Sequence, residues 1–199
     1  MLKNQKSKIV ALDLDNTLNF LSLEYISYAE YHLGIHMTPE NNDRHFQHYD
    51  LAKYFPEDFT SEEIQAVTND IFSDYNFWIG MQPHPNSAEL VYSINENSKY
   101  DLRIVTYPWH FLQGSIDGKM DWIKRHFPYI KSDQVIFQHD KWNGPYDIVI
   151  DDNVEILNNC FDKGMHILRY FHFYNIKAKC HHSFRELTQI KDYLENTYE

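Results

Sequence analysis

The sequence predicts an α/β fold, a doubly wound, Rossmann-like parallel sheet with a small helical cap inserted after the first strand. Apolar runs of strand length alternate with helical patterns along most of the chain, which is typical of such a sheet. The exception is the stretch 19–100, which is too long for one crossover helix. We therefore assign residues 1–19 and 83–199 to the core and residues 20–82 to the cap.

Each element is predicted from its own pattern. Strands are predicted at 9–13, 102–106, 134–138, 147–151 and 165–170, and helices at 20–33, 61–73, 86–97, 116–126, 154–162 and 184–196. Thr60 and Ser183 each precede a glutamate by three residues, the spacing of a capping box at a helix start. Gly34 and Gly164 stand where helices would end in a left-handed residue.

Composition narrows the class of protein. A chain of 199 residues with 43% hydrophobic residues can form one ordinary globular domain with an insertion. The formal net charge is −11 and no basic block is present, which argues against a nucleic-acid polymer as partner. A small anionic substrate remains compatible with this charge if a few cations share one cleft.

The location is also predicted from the sequence. The two cysteines, Cys160 and Cys180, form no CxxC pair, which favours a reducing compartment. The polar segment 1–8 leads directly into a strand and leaves no room for a signal peptide. No apolar run approaches the ~20 residues that span a bilayer. We therefore expect a cytoplasmic protein with no membrane partner.

Polar side chains follow the ends of several predicted strands. They occur in the order Asp13-x-Asp15, Thr106, Lys141 and Asp151-Asp152. Because parallel strands present their carboxyl ends at one edge of the sheet, these groups should meet there. Carboxylates this close repel each other and need a cation or proton. The set suits phosphoryl transfer, with a nucleophile, a hydroxyl and an ammonium group for phosphate, and carboxylates for magnesium.

Further motifs accompany these strand ends. They are Phe77-Trp78-x-x-Met81-x-Pro83-His84-Pro85, Thr106-x-Pro108, Asp140-Lys141 and Ile150-Asp151-Asp152-Asn153. With these motifs in this order, nearly the whole chain resembles phosphatases of the haloacid dehalogenase superfamily. Within that superfamily it is most similar to the 5′(3′)-deoxyribonucleotidase family, which has cytosolic, mitochondrial, bacterial and phage members.

The resemblance implies a role for each motif residue. Asp13 would be the nucleophile that forms an aspartyl-phosphate, and Asp15 would protonate the leaving alcohol and then activate water. The phosphate-binding residues would be Thr106, Tyr107, Lys119 and Lys141. Lys119 has an alternative interpretation as an exposed residue in the first turn of a helix.

The resemblance also implies a Mg²⁺ cofactor. Its ligands would be Asp13, the backbone carbonyl of Asp15 and one carboxylate of the Asp151-Asp152 pair. Asp152 is favoured as the direct ligand because the common Gly-Asp form of this motif has its carboxylate at that position.

The substrate implied is a small phosphomonoester, in the first place a nucleoside monophosphate. Phe20, Tyr49, Phe77 and Trp78 are candidate pocket residues, because aromatic rings can stack on a base, although aromatic residues also form core. Alternatives are a phosphatase for a sugar phosphate, a nucleic-acid 3′-end phosphatase, or a non-catalytic binding module of the same fold. A monomer and a homodimer both remain open.

Three positions depart from the family pattern. Asn16 replaces a frequent glycine, and asparagine tolerates the left-handed region. Tyr107 replaces a serine of relatives, and His139 replaces an arginine of the mammalian enzymes. The last two changes put the nucleoside preference in doubt.

Overall fold

The computed structural model describes residues 7–37 and 46–197, and its centre is a parallel sheet. The strands are β1 (Lys8–Leu12), β2 (Tyr100–Thr106), β3 (Val135–Phe137), β4 (Ile148–Asp151), β5 (His166–Tyr170) and β6 (His182–Phe184). Their order is β3-β2-β1-β4-β5-β6, and every neighbouring pair is parallel. The order reverses direction at β1, so the sheet is doubly wound as predicted.

Helices lie in three of the connections, β1 to β2, β2 to β3 and β4 to β5, and after β6. They are α1 (Leu21–Leu33), α2 (Ser61–Ser73), α3 (Tyr75–Gly80), α4 (Ser87–Glu96), α5 (Gln113–His126), α6 (Val154–Asp162) and α7 (Leu187–Thr197). The central strands β1 and β4 are buried on both faces, because helices cover both sides of the sheet. Among the described residues, no helix is long and apolar enough to cross a membrane.

Several predicted helix ends are confirmed. The hydroxyl of Thr60 accepts a hydrogen bond from the backbone N–H of Glu63 at 3.2 Å, and the Glu63 carboxylate accepts one from the Thr60 N–H at 2.9 Å. This capping box starts α2 where it was predicted. Gly34 and Gly164 have φ of 66° and 81°, the left-handed conformation expected after a helix.

The prediction of a helix start at Ser183 is wrong. Residues 182–184 form the edge strand β6, paired with β5, and the Ser183 hydroxyl accepts a hydrogen bond from Arg169 Nε at 3.0 Å. The last helix, α7, therefore begins only at Leu187. The short helix α3 was also missed, because its six residues are too few to show a helical period.

The inserted segment between β1 and α4 contains α1, α2, α3 and a short 3₁₀ turn, Leu51–Tyr54. At its base, Asn19 and Pro83 form an isolated antiparallel bridge, so the chain leaves and re-enters the core at one place. The boundaries predicted for the cap fall at this bridge. The division into core and cap as separate domains stays a prediction.

Candidate active site

The carboxyl ends of β1, β2 and β4 bring the predicted strand-end residues together. Asp13 directly follows β1, Thr106 ends β2 and Asp151 ends β4. Asp13 and Asp151 line a cavity of about 640 Å³ between the sheet edge and the inserted helices, and Thr106 is buried beside Asp15 and Lys119, which also line it. This is where open α/β sheets place their ligands.

Three carboxylates form a cluster in this cavity. Asp13, Asp151 and Asp152 each offer an oxygen, and these oxygens lie within 4.8 Å of one another. Burial raises the pKa of Asp13 to about 7, although Lys141 acts in the opposite direction, and burial also raises the pKa of Asp152 well above its ordinary value. After burial, repulsion from the neighbouring carboxylates also raises the pKa of Asp13 and of Asp152.

Lys141 partly neutralises the cluster. Its Nζ donates to Oδ1 of Asp13 at 2.5 Å and to Oδ2 of Asp151 at 2.6 Å. Although burial lowers the pKa of Lys141, these two carboxylates together raise it above its ordinary value, so the ammonium group stays charged. One ammonium group thus serves a cluster of three carboxylates. The groups that this cluster offers to a metal ion are all oxygen atoms. Such a set fits a hard cation such as Mg²⁺.

The partners of the two neighbouring carboxylates differ. Asp151 is bound by Lys141 and by the backbone N–H of Asn153, which lies 2.8 Å from its Oδ1. Asp152 accepts a hydrogen bond from the Thr17 hydroxyl at 3.2 Å and another from the Tyr174 hydroxyl. Neutral hydroxyls leave the charge of Asp152 uncompensated, so Asp152 has the greater need of a cation.

A second lysine pairs with the second aspartate. Lys119, on α5, is 1% exposed and its Nζ contacts Oδ2 of Asp15. The same ammonium group donates to Thr106 Oγ1 at 3.0 Å and to the Tyr107 carbonyl at 2.6 Å. The alternative that Lys119 is an exposed helix residue is therefore wrong. The structure places it among the predicted phosphate-binding groups.

The loop after β1 is held by its own asparagines. Asn16 has φ of 58°, a conformation that favours glycine or asparagine. Its side chain accepts a hydrogen bond from the Ser22 N–H at 2.9 Å, and Asn19 donates to Oδ1 of Asp15 at 3.2 Å. Sequence reasoning anticipated the tolerance of Asn16 but missed Asn19, whose only signal was its nearness to the Asp-x-Asp motif.

The four candidate pocket aromatics divide into two pairs. Tyr49 and Trp78 line the cavity, whereas Phe20 and Phe77 do not. Phe77 is buried in the aromatic core against Trp78, and the Phe20 ring contacts His84 with centroids 3.8 Å apart. Both rings pack against other side chains. The expectation that Phe20 and Phe77 line the pocket is therefore wrong.

Besides Tyr107, two aromatic residues that were not predicted line the cavity. Phe72, on α2, and Trp109, in the turn after β2, pack edge to face with ring centroids 4.8 Å apart. Trp109 Nε1 also donates to Asn69 Oδ1 at 3.3 Å, which joins the core turn to α2. Sequence reasoning missed both; the position of Trp109 directly after Thr106-x-Pro108 could have signalled it.

The fold and this site together define the class of protein, a haloacid dehalogenase-type hydrolase. Within that class, a family model described as 5′ nucleotidase, deoxy (Pyrimidine), cytosolic type C protein matches residues 7–191, and the chain belongs to this family. The protein is accordingly a phosphoric monoester hydrolase.

Two similar proteins with curated names support this family membership. The chain is 29% identical over 162 residues to a 5′(3′)-deoxyribonucleotidase of Clostridium acetobutylicum, which covers 80% of this chain and 79% of that protein. It is 25% identical over 161 residues to a 5′(3′)-deoxyribonucleotidase of Bacillus subtilis, covering 81% and 84% of the two chains.

Solved structures share the fold. The HAD-hydrolase YfnB of Bacillus subtilis, solved bound to magnesium, superposes with a TM-score of 0.59 at 14% identity, covering 96% of this chain and 99% of that one. A HAD family hydrolase of Deinococcus radiodurans, solved with phosphate and sodium, gives a TM-score of 0.56 at 11% identity, covering 96% of each chain. At such low identity these two structures support the fold alone.

Proposed function

We propose that the protein is a Mg²⁺-dependent phosphatase that hydrolyses deoxyribonucleoside monophosphates through an aspartyl-phosphate on Asp13. The observation that carries this proposal is the pairing of two buried lysines with the motif carboxylates at one sheet edge. Lys141 contacts Asp13, and Lys119 contacts Asp15. The relatives named as 5′(3′)-deoxyribonucleotidases supply the substrate class.

The first step forms the covalent intermediate. Among the described residues, Oδ2 of Asp13 has no hydrogen-bond donor, so this oxygen is available to attack phosphorus. The new Asp13 O–P bond forms as the ester P–O bond breaks, and the protonated carboxyl of Asp15 gives its proton to the departing alcohol oxygen. Lys119 and Lys141 exchange carboxylate oxygens for phosphate oxygens, which stabilises the charge on the transferred group.

The second step hydrolyses the intermediate. The carboxylate of Asp15 takes a proton from water, and the resulting hydroxide oxygen bonds to phosphorus while the Asp13 O–P bond breaks. Inorganic phosphate leaves and both aspartates return to their starting states. Oxygens of Asp13 and Asp152, with the Asp15 backbone carbonyl, would hold Mg²⁺, which supplies positive charge that lets an anionic phosphate approach anionic carboxylates.

The inserted segment is proposed to act as a cap that selects the leaving group. Tyr49, Phe72, Trp78 and Trp109 give the cavity flat apolar walls suited to a nucleobase. In the described lining of the cavity, Lys119 and Lys141 are the lysines and no arginine is present. Both lysines contact the motif carboxylates, where the transferred phosphate would bind. A second phosphate on the substrate would therefore have no lysine or arginine to bind in the described lining of the cavity. Monophosphates are favoured over diphosphates for this reason.

A substrate panel tests this function. Free phosphate is measured with Mg²⁺ for deoxyribonucleoside and ribonucleoside monophosphates, nucleoside diphosphates and sugar phosphates. We expect the highest kcat/KM for a deoxyribonucleoside monophosphate. A higher kcat/KM for a sugar phosphate would contradict the nucleotidase proposal and favour a phosphatase for other small esters.

A further inference from the structure

The turn that follows β5 contacts one member of the carboxylate cluster, Asp152. This turn, Phe173–Asn175, has no part in the two chemical steps above. The Tyr174 hydroxyl donates to Oδ2 of Asp152, and Asn175 Nδ2 donates to the backbone carbonyl of Asp152 at 2.7 Å. Side chain and backbone of Asp152 are thus both held by adjacent residues of one turn.

The ring of Tyr174 is itself fixed. It stacks on the imidazole of His172 with an interplanar angle of 3° and centroids 5.0 Å apart. The ring of Tyr49, from the inserted segment, meets it edge to face at 5.5 Å. A ring held on two sides keeps its hydroxyl in one place, so the hydrogen bond to Asp152 restricts the rotation of that carboxylate.

His172, the residue directly before this turn, reaches the loop that carries the two aspartates of the first motif. His172 Nδ1 accepts a hydrogen bond from the Phe46 N–H at 3.3 Å, so its Nε2 carries the proton and donates to the Asn16 carbonyl at 3.0 Å. The Tyr174 N–H donates to the Phe46 carbonyl at 3.2 Å. His172 and the turn therefore join the inserted segment, the motif loop and Asp152.

We propose that Tyr174 is a positioning residue that orients the Asp152 carboxylate for a divalent cation and thereby sets the affinity for Mg²⁺. The inference rests on the metal site of the proposed function. Partners that hydrogen-bond metal ligands fix the ligand orientation, and their loss typically lowers metal affinity about 10- to 100-fold. Among the described residues, the other donor to the Asp152 carboxylate is the Thr17 hydroxyl, which binds the opposite oxygen at 3.2 Å and cannot replace the contact to Oδ2.

The test compares two tyrosine-to-phenylalanine variants. Tyr174→Phe removes the hydroxyl but keeps the ring that stacks on His172. Tyr100→Phe is the matched control, because Tyr100 is also buried and its hydroxyl donates to the Leu194 carbonyl at 2.8 Å, at the amino end of β2, the edge opposite the site. Mg²⁺ binding is measured by calorimetry on the metal-free proteins without substrate, and Mn²⁺ binding by electron paramagnetic resonance.

We expect Tyr174→Phe to bind Mg²⁺ about 10-fold more weakly than the wild type, and Tyr100→Phe to bind it equally well. Activity of Tyr174→Phe towards p-nitrophenyl phosphate should recover as Mg²⁺ is raised, because the chemical groups are intact. Thermal unfolding with and without Mg²⁺ adds a second measurement, in which the stabilisation by Mg²⁺ should be smaller for Tyr174→Phe than for Tyr100→Phe.

The outcomes separate this inference from the proposed function. Equal Mg²⁺ affinity of wild type and both variants would overturn the role of Tyr174 and leave the phosphatase mechanism standing. A wild-type protein that binds neither Mg²⁺ nor Mn²⁺ would overturn the proposed metal site, and the role of Tyr174 with it.

Discussion

The side chain of Lys119 links several groups of the active site to one another. Its ammonium group is buried and contacts Asp15, Thr106 and the Tyr107 carbonyl. The amine also lies 4.6 Å from the centroid of the Trp78 ring, a cation–π distance. A buried ammonium group is stable only with such partners, which here are the predicted acid/base Asp15, two residues of the predicted phosphate site and one aromatic residue of the cavity wall.

Replacing Lys119 by methionine should lower kcat for nucleoside monophosphates roughly 10²-fold, because one charged donor to the transition state is lost. Steady-state kinetics at saturating Mg²⁺ would measure the change. Lys191→Met is the control, since Lys191 pairs with Glu89 on the surface. A Lys119→Met enzyme with the turnover of the control would remove Lys119 from the proposed phosphate site.

Residues of the active site were predictable from the sequence to different degrees. Asp13, Thr106 and Asp151 each end an apolar run, so strand pattern and motif order located them at one sheet edge. Tyr174 and Phe72 carried no such signal. Tertiary packing alone brings them to the site, and a single sequence does not record which aromatic residue faces a cavity.

At the level of elements, the turn after β2 and the helix α2 act together. Trp109 in that turn packs against Phe72 of α2 and lines the cavity. The ring therefore belongs both to the wall of the site and to the contact between core and inserted segment. This arrangement makes Trp109 the clearest candidate for contact with the leaving group.

The variant Trp109→Leu should lower kcat/KM for a deoxyribonucleoside monophosphate about 5- to 150-fold, which corresponds to a stacking contribution of ~1–3 kcal/mol. Hydrolysis of p-nitrophenyl phosphate, which has no base, should fall much less. Phe77→Leu is the matched control because Phe77 is buried but does not line the cavity. Equal losses on both substrates would show that Trp109 serves the fold and not the substrate.

Elements with their own end signals were predicted best. The helix α2 matches its prediction because the capping box at Thr60 and the helical period agree. At Ser183 the same four-residue pattern was misleading. There, pairing with β5 outweighs the local signal, and β6 has only three residues, too few for an alternating pattern to appear.

For the whole molecule, stability at low pH should depend on a histidine cluster remote from the active site. His166, at the start of β5, lies near His181 and His182, with ring centroids 4.6 and 5.8 Å away. Burial, helped by these neighbours and Lys8, lowers the pKa of His166 to about 4 from its ordinary 6.5. The unfolded chain therefore binds a proton at His166 at a higher pH than the folded chain does.

The sign follows from this difference. Between pH 6.5 and 4 the unfolded chain gains a proton that the folded chain does not, so the free energy of unfolding falls as the pH falls. His166→Gln should reduce the loss of stability between neutral pH and the lower end of this range, as measured by urea unfolding. His36→Gln, at a side chain that is 83% exposed, is the control. If the free energy of unfolding of His166→Gln fell with pH as much as that of the wild type, His166 would not be a source of the pH dependence.

The central claim is that phosphate passes through Asp13, and the most direct test is to trap the phosphorylated enzyme. An Asp15→Asn protein lacks both the base that activates water and the acid that protonates a poor leaving group, so it is mixed with Mg²⁺ and p-nitrophenyl phosphate, whose leaving group needs little protonation, and quenched in acid. Peptide mass spectrometry should then find one phosphoryl group on Asp13, sensitive to hydroxylamine. The group should be absent when Asp13→Asn is added to the same protein or when Mg²⁺ is chelated. Turnover of substrate by Asp13→Asn at the wild-type rate, or a phosphoryl group on another residue, would contradict the account.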